Sequence, residues 1–246
     1  MGSAVSPAMV TFLVVIVTGL AVMGLSRLID HLWARVLRHA WLYFLLSAPG
    51  VVIHECSHII GCLITGAKIK KVVLLSREGG MVSYAQPALP VFGNVIISTA
   101  PLFFLPLVLA ALTWLFGTYA GCTFPAAIPV PGSPAAVYSL ILVTGRTLYQ
   151  NLVTAFNGWF ILYLYLAVSL ALSFSPSTQD LKNAIAGIFV LIIAGFAILA
   201  ANIPPVTGIF LTIISLFGTG LAIGFTFGLA ALVVSLPALV FYRRAS

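Results

Sequence analysis

This chain of 246 residues is 62% hydrophobic and only 6% charged, with a mean hydropathy of +1.20. A soluble globular domain carries about 25% charged residues, so the composition excludes a water-soluble enzyme or binding module. It predicts an all-α polytopic membrane protein whose surface meets the lipid bilayer. The net charge of +7 does not argue for nucleic acid, because the 11 Lys and Arg lie mostly near segment ends. That is the distribution of topology signals and headgroup contacts.

A membrane span needs about 20 apolar residues, and five to seven segments qualify, six being the expected number. Residues 8–25 form the first. Arg27 is the first positive charge, after the apolar run, so the basic start of a cleaved leader is missing and the segment reads as a membrane helix. The second span covers 41–65. The polar region 66–90 reads as strand, turn, strand, with Lys71 to Leu75 and Met81 to Ala85 as strands around Ser76-Arg77-Glu78-Gly79-Gly80. The third span covers 95–116, with Pro101 and Pro106 as bends. Residues 117–134 are a loop, and 135–151 read either as a short interfacial helix or as more loop. Spans follow at 153–173 and 184–201. The stretch 206–241 exceeds one ordinary span; Gly218, Gly220, Gly224 and Gly228 either break it or form packing faces on one long helix. No repeat or domain boundary is visible, so one membrane domain occupies 1–246.

Six spans with an inner N-terminus put Lys68, Lys70, Lys71, Arg77, Lys182, Arg243 and Arg244 inside, and Arg27, Arg35, Arg38 and Arg146 outside. This favours cytoplasmic N- and C-termini in a multi-pass protein of the cell membrane. Cys56, Cys62 and Cys122 have no disulfide-framework spacing.

The second span holds His54-Glu55-Cys56-Ser57-His58, an HExxH sequence. Ionisable groups at membrane depth cost about 2.5–3.5 kcal/mol on insertion scales, so they mark function. On a helix, positions i and i+4 share a face, and His54 and His58 can point at one metal ion. Glu55 then stands beside the bound water as general base. Zinc lowers the pKa of such a water towards 7, and a carboxylate takes its proton.

A catalytic zinc site also needs a third protein ligand. His31 and His39 lie before the second span; Glu78 lies in the hairpin and Asp30 at the end of the first span. Asp180 follows a proline break at Pro176, and under this topology it can meet the HExxH at similar depth. Its spacing suits a ligand and the N-cap of the next helix equally.

These residues resemble the site-2 protease family of intramembrane zinc metalloproteases, in a divergent branch. The likeness covers the HExxH in an apolar helix, Gly79-Gly80-Met81-Val82 in a hairpin after it, Ala100-Pro101 in the next helix, and the proline-containing segment ending in Asp180. The family's Asp is usually set in an Asn…Pro…Asp-Gly pattern; here Leu181 stands in place of the Gly and no Asn precedes at the usual distance. The resemblance implies one zinc ion held by His54, His58 and Asp180, with Glu55 catalytic. It also implies that Gly79, Gly80, Met81 and Val82 bind an unwound substrate helix at a strand edge, although a plain solvated hairpin fits the same residues. The implied activity is cleavage of a transmembrane segment of a membrane-protein substrate, in regulated intramembrane proteolysis. A non-catalytic chaperone or regulatory relative is the alternative. A transporter is disfavoured, because later spans have almost no ionisable residues apart from Asp180.

Overall fold

In a computed structural model, residues 6–36, 40–76, 79–125, 134–174 and 177–243 are described. Arg38, His39, Arg77, Glu78, Pro176 and Arg244, which figure in the sequence reading, lie outside them. The described elements, in chain order, are α1 (Pro7–Val36), α2 (Ala40–Thr65), β1 (Ile69–Val73), β2 (Met81–Tyr84), α3 (Pro90–Tyr119), α4 (Pro134–Tyr149), α5 (Gly158–Leu172), α6 (Thr178–Ala201) and α7 (Pro204–Arg243). A single π turn, Gln150–Thr154, joins α4 to α5.

The shortest of the apolar helices, α5, buries one face and the whole of its last turn. Asn157 caps it by accepting a hydrogen bond from the Trp159 N–H, which fixes its start, and it ends at Leu172 after 15 residues. Phe160, Tyr163, Ala167, Ser169, Leu170, Ala171 and Leu172 are all buried. A helix apolar all round is either a membrane span or the centre of a bundle, and α5 is central, packing with α2, α3 and α7. Its length is about 22 Å at 1.5 Å per residue, short of the roughly 30 Å hydrocarbon layer. The core around it joins Val22 of α1, Leu105 and Leu109 of α3, and Phe217 and Leu221 of α7.

Four helical stretches among the described residues are long and apolar enough to cross a membrane: Pro7–Trp33, Trp41–Thr65, Phe92–Tyr119 and Pro204–Thr226. The expected spans at 153–173 and 184–201 correspond to the shorter apolar pieces Gly158–Leu172 and Ile192–Ala201. The ambiguous segment 135–151 is largely the helix α4. The long C-terminal stretch is one helix, with Gly220 backed against the Pro106 carbonyl and Gly224 against the Phe174 ring. Those two glycines therefore pack rather than break.

The hairpin forms as antiparallel β1 and β2, with Val72 opposite Val82 and Val73 opposite Met81. The first strand begins two residues before the expected Lys71 and stops at Val73, so Leu74 and Leu75 belong to the turn. Gly79, at φ 107°, supplies the turn's left-handed backbone.

Prolines inside helices leave the carbonyl four residues earlier without its N–H partner. Pro49 in α2 frees the Leu45 carbonyl, which accepts a hydrogen bond from the Tyr165 hydroxyl of α5 at 2.6 Å. One residue on, the Gly50 N–H donates to Ser169 Oγ at 2.9 Å, and a Cβ at Gly50 would collide with the Ser169 carbonyl. Gly50 thus sets how closely α2 meets α5. Gly50→Val is expected to destabilise the protein by about 1–3 kcal/mol through overpacking, whereas Gly24→Ala, where a Cβ meets nothing within 4 Å, is expected to be neutral or slightly stabilising. Thermal unfolding of the two variants in detergent checks the contrast.

Candidate metal centre

His54 and His58 lie one turn apart on the face of α2 that α3, α5 and α6 cover. Both are buried, as is Glu55. Their ring centroids are 5.0 Å apart, at a steep angle to each other.

Each ring is held from behind by a main-chain carbonyl. His54 Nδ1 lies 2.9 Å from the Ser173 carbonyl oxygen, and His58 Nδ1 lies 2.8 Å from that of Ile97. Both acceptors exist because a helix has been interrupted. Ile97 is four residues before Pro101, which has no N–H to give it. Ser173 is the C-cap of α5, where the last carbonyls of a helix lack intrahelical partners. With Nδ1–H donating to a carbonyl, Nε2 of each imidazole carries the lone pair.

Those two nitrogens face Asp180. Its Oδ2 lies 3.9 Å from His54 Nε2 and 3.5 Å from His58 Nε2. Ligand distances of about 2.0–2.2 Å in a tetrahedral zinc site place donor atoms roughly 3.3 Å from one another; the His58–Asp180 separation is close to that and the His54–Asp180 separation is longer. Among the described residues, His54, His58 and Asp180 are the group of three His, Cys, Asp or Glu whose ligand atoms lie within 4.8 Å of one another. Three lone pairs that converge out of water repel each other unless positive charge sits among them, either a ring proton or a bound cation. Two imidazoles and one carboxylate, with outer-shell carbonyls fixing the tautomers, are a donor set that fits zinc.

Asp180 is placed by its own helix. Ser177 is the N-cap of α6, and its hydroxyl accepts from the Asp180 N–H at 3.1 Å. The Asp180 carboxylate reaches back to the Ser177 N–H at 3.3 Å and to its hydroxyl at 2.5 Å. The N-cap, which the spacing offered at Asp180 as one of two alternatives, is Ser177, with Asp180 at the third position of a capping box. Ligand geometry and capping, which the spacing offered as alternatives, coexist in one side chain.

Glu55 stands outside the trio. It borders a cavity of about 310 Å3 shared with His54, Gly80 and Ser173. A Cβ on Gly80 would run into the Glu55 side chain, so the hairpin can lie over this carboxylate only because residue 80 has no side chain. Of the other hairpin candidates, Gly79 forms the turn, Met81 is exposed, and Val82 packs on the Cys62, Ala67 and Ile97 cluster. His31 is exposed on α1, and Asp30 accepts a hydrogen bond from the Tyr43 hydroxyl.

Sequence reasoning missed the two carbonyls. The one at Ile97 had a readable signal, since Pro101 names its freed acceptor four residues back; the one at Ser173 needed the end of α5. Comparison of the chain with protein-family models, curated proteins and solved structures finds no match.

Two variants probe these roles. Ser177→Ala removes both the cap and the hydroxyl on the Asp180 carboxylate, and is expected to cost about 1 kcal/mol of stability as well as roughly 10–100-fold in zinc affinity. Pro101→Ala returns an N–H to the Ile97 carbonyl in competition with His58, and is expected to lower zinc affinity by roughly 10–100-fold, the usual effect of losing an outer-shell partner. Chelator competition on purified protein measures both affinities. Equal affinity in wild type and Pro101→Ala would remove the carbonyl from the account.

Proposed function

We propose that this chain is an intramembrane zinc endopeptidase, of the kind implied by its resemblance to the site-2 protease family. It would cleave a transmembrane segment of a membrane-protein substrate and release a fragment for signalling. The observation that supports this reading most is the convergence of His54 Nε2, His58 Nε2 and Asp180 Oδ2, with buried Glu55 alongside at a cavity wall.

His54, His58 and Asp180 would hold the metal, and zinc when bound supplies Lewis-acid polarisation of an oxygen. Glu55 takes a proton from the attacking water and passes it to the leaving amine. The carbonyls of Ser173 and Ile97 keep the two imidazoles turned so that their free nitrogens face the reaction. An intact substrate helix screens its amides, so the segment must be unwound and held extended. The edge of β2 away from β1 carries no strand among the described residues, and β2 starts immediately after Gly80, which packs on Glu55. That edge is the clamp in this reading, adding a substrate strand by main-chain hydrogen bonds.

Orientation follows from charge. The exposed Lys68, Lys70 and Lys71 beside the hairpin favour the cytoplasmic side of a cell membrane. Four spans, like six, return the C-terminus to the side of the N-terminus, so both termini would be cytoplasmic.

Glu55→Gln is expected to lower cleavage of an apolar membrane peptide by about 10²–10⁴-fold, the range for losing a general acid–base group, while bound zinc stays near one per chain. Cleavage indifferent to Glu55, or purified protein that does not take up zinc, would contradict the proposal.

A further inference from the structure

The cavity beside Glu55 reaches away from the metal centre towards two ionisable residues of α1, Arg27 and Asp30. Both lie in the stretch Pro7–Trp33, which is apolar and long enough to span. Charged groups in such a stretch face a polar cavity or a partner and mark a functional path. Asp30 has its partner in the Tyr43 hydroxyl. Arg27 has no hydrogen-bond or ion-pair partner among the described residues, and it is the one cation among those lining this cavity.

One face of α2 forms much of the remaining wall, with Leu172, Ser173, Ser177 and Gly80 closing it. Tyr43, Ser47, Val51 and His54 recur every three or four residues, so the cavity follows the helix from the Tyr43–Asp30 contact to the metal centre. Ser26, the residue before Arg27, donates to the Leu172 carbonyl at 2.8 Å, and the next carbonyl, that of Ser173, holds His54. This turn of α1 therefore stands beside the metal centre, and an extended peptide, advancing about 3.3 Å per residue, brings a side chain within a few residues of the bond at Glu55 to Arg27.

We propose that Arg27 is a specificity-determining residue that binds a carboxylate of the substrate within a few residues of the cleaved bond. The proposal rests on the protease reading above. A guanidinium pairs with a carboxylate through two parallel hydrogen bonds, and this one lines the same cavity as Glu55. An acidic side chain and a free C-terminus present the same group.

The test uses the full chain in detergent with the Glu55→Gln substitution, so that binding is read without hydrolysis. Fluorescent apolar peptides carry one Asp, or Asn as control, at successive positions. Expected is tighter binding of the Asp peptide by roughly tenfold at one register, a ratio near one with Arg27→Gln, and a retained preference with Arg27→Lys, which guards against misfolding. Peptides ending at that register as free acid or amide separate a terminal carboxylate from a side-chain one. Absence of an Asp preference at every register, or the same preference with Arg27→Gln, overturns the proposal. So does an Arg27 effect that follows the anionic lipid content of nanodiscs and ignores peptide charge, which would assign a headgroup phosphate. A preference that survives in a protein without Glu55-dependent cleavage refutes the protease reading alone; cleavage without the preference refutes the subsite alone.

Discussion

Two hydrogen bonds from imidazole Nδ1 atoms to main-chain carbonyls decide what the centre of this molecule can do. The Ile97 and Ser173 carbonyls hold His58 and His54 in one tautomer and one orientation. Neither carbonyl would be available in an unbroken helix, where it would be bonded to an N–H four residues on. A proline in α3 and the end of α5 release them. In a bundle with little water to satisfy stray polar groups, a released carbonyl must find a donor, and here the donors are the two histidines. The breaks in the helices thus stabilise the site.

The same logic arranges the scaffold. Pro49 frees the Leu45 carbonyl for Tyr165, and Gly50 lets α2 approach the backbone of α5. Because α5 supplies Ser173 and is buried between α2, α3 and α7, its position fixes His54, and α3 fixes His58. Asp180 comes from a third direction, locked by a capping box with Ser177 at the start of α6. Three elements therefore aim one group each at a common point.

Much of this was legible in the residues. The HExxH in an apolar segment named both histidines and Glu55, because i and i+4 share a helix face whatever the tertiary structure. The hairpin was readable from alternation and from Gly79-Gly80, though its first strand slipped by two residues, since exposed Ile69 and Lys70 carry no burial signal. The span count was less legible: hydropathy does not distinguish lipid from a protein interior, and α5 has apolar residues on both its buried and its exposed side. Asp180 was ambiguous for a chemical reason, since a carboxylate that caps a helix and one that faces a metal occupy the same place in the chain. Arg27 was visible only as a topology signal, and Asp30 only as an acid at the end of the first span, until the fold set them on a cavity shared with Glu55.

The most direct measurement is X-ray absorption at the zinc edge of the purified, zinc-loaded protein. The expected first shell has two imidazole nitrogens, one carboxylate oxygen and one further light atom at about 2.0–2.2 Å, with the carboxylate contribution absent in Asp180→Ala. A sulfur ligand near 2.3 Å, which would come from a cysteine such as Cys56 or Cys62, or a first shell unchanged by Asp180→Ala, would contradict a centre built from His54, His58 and Asp180.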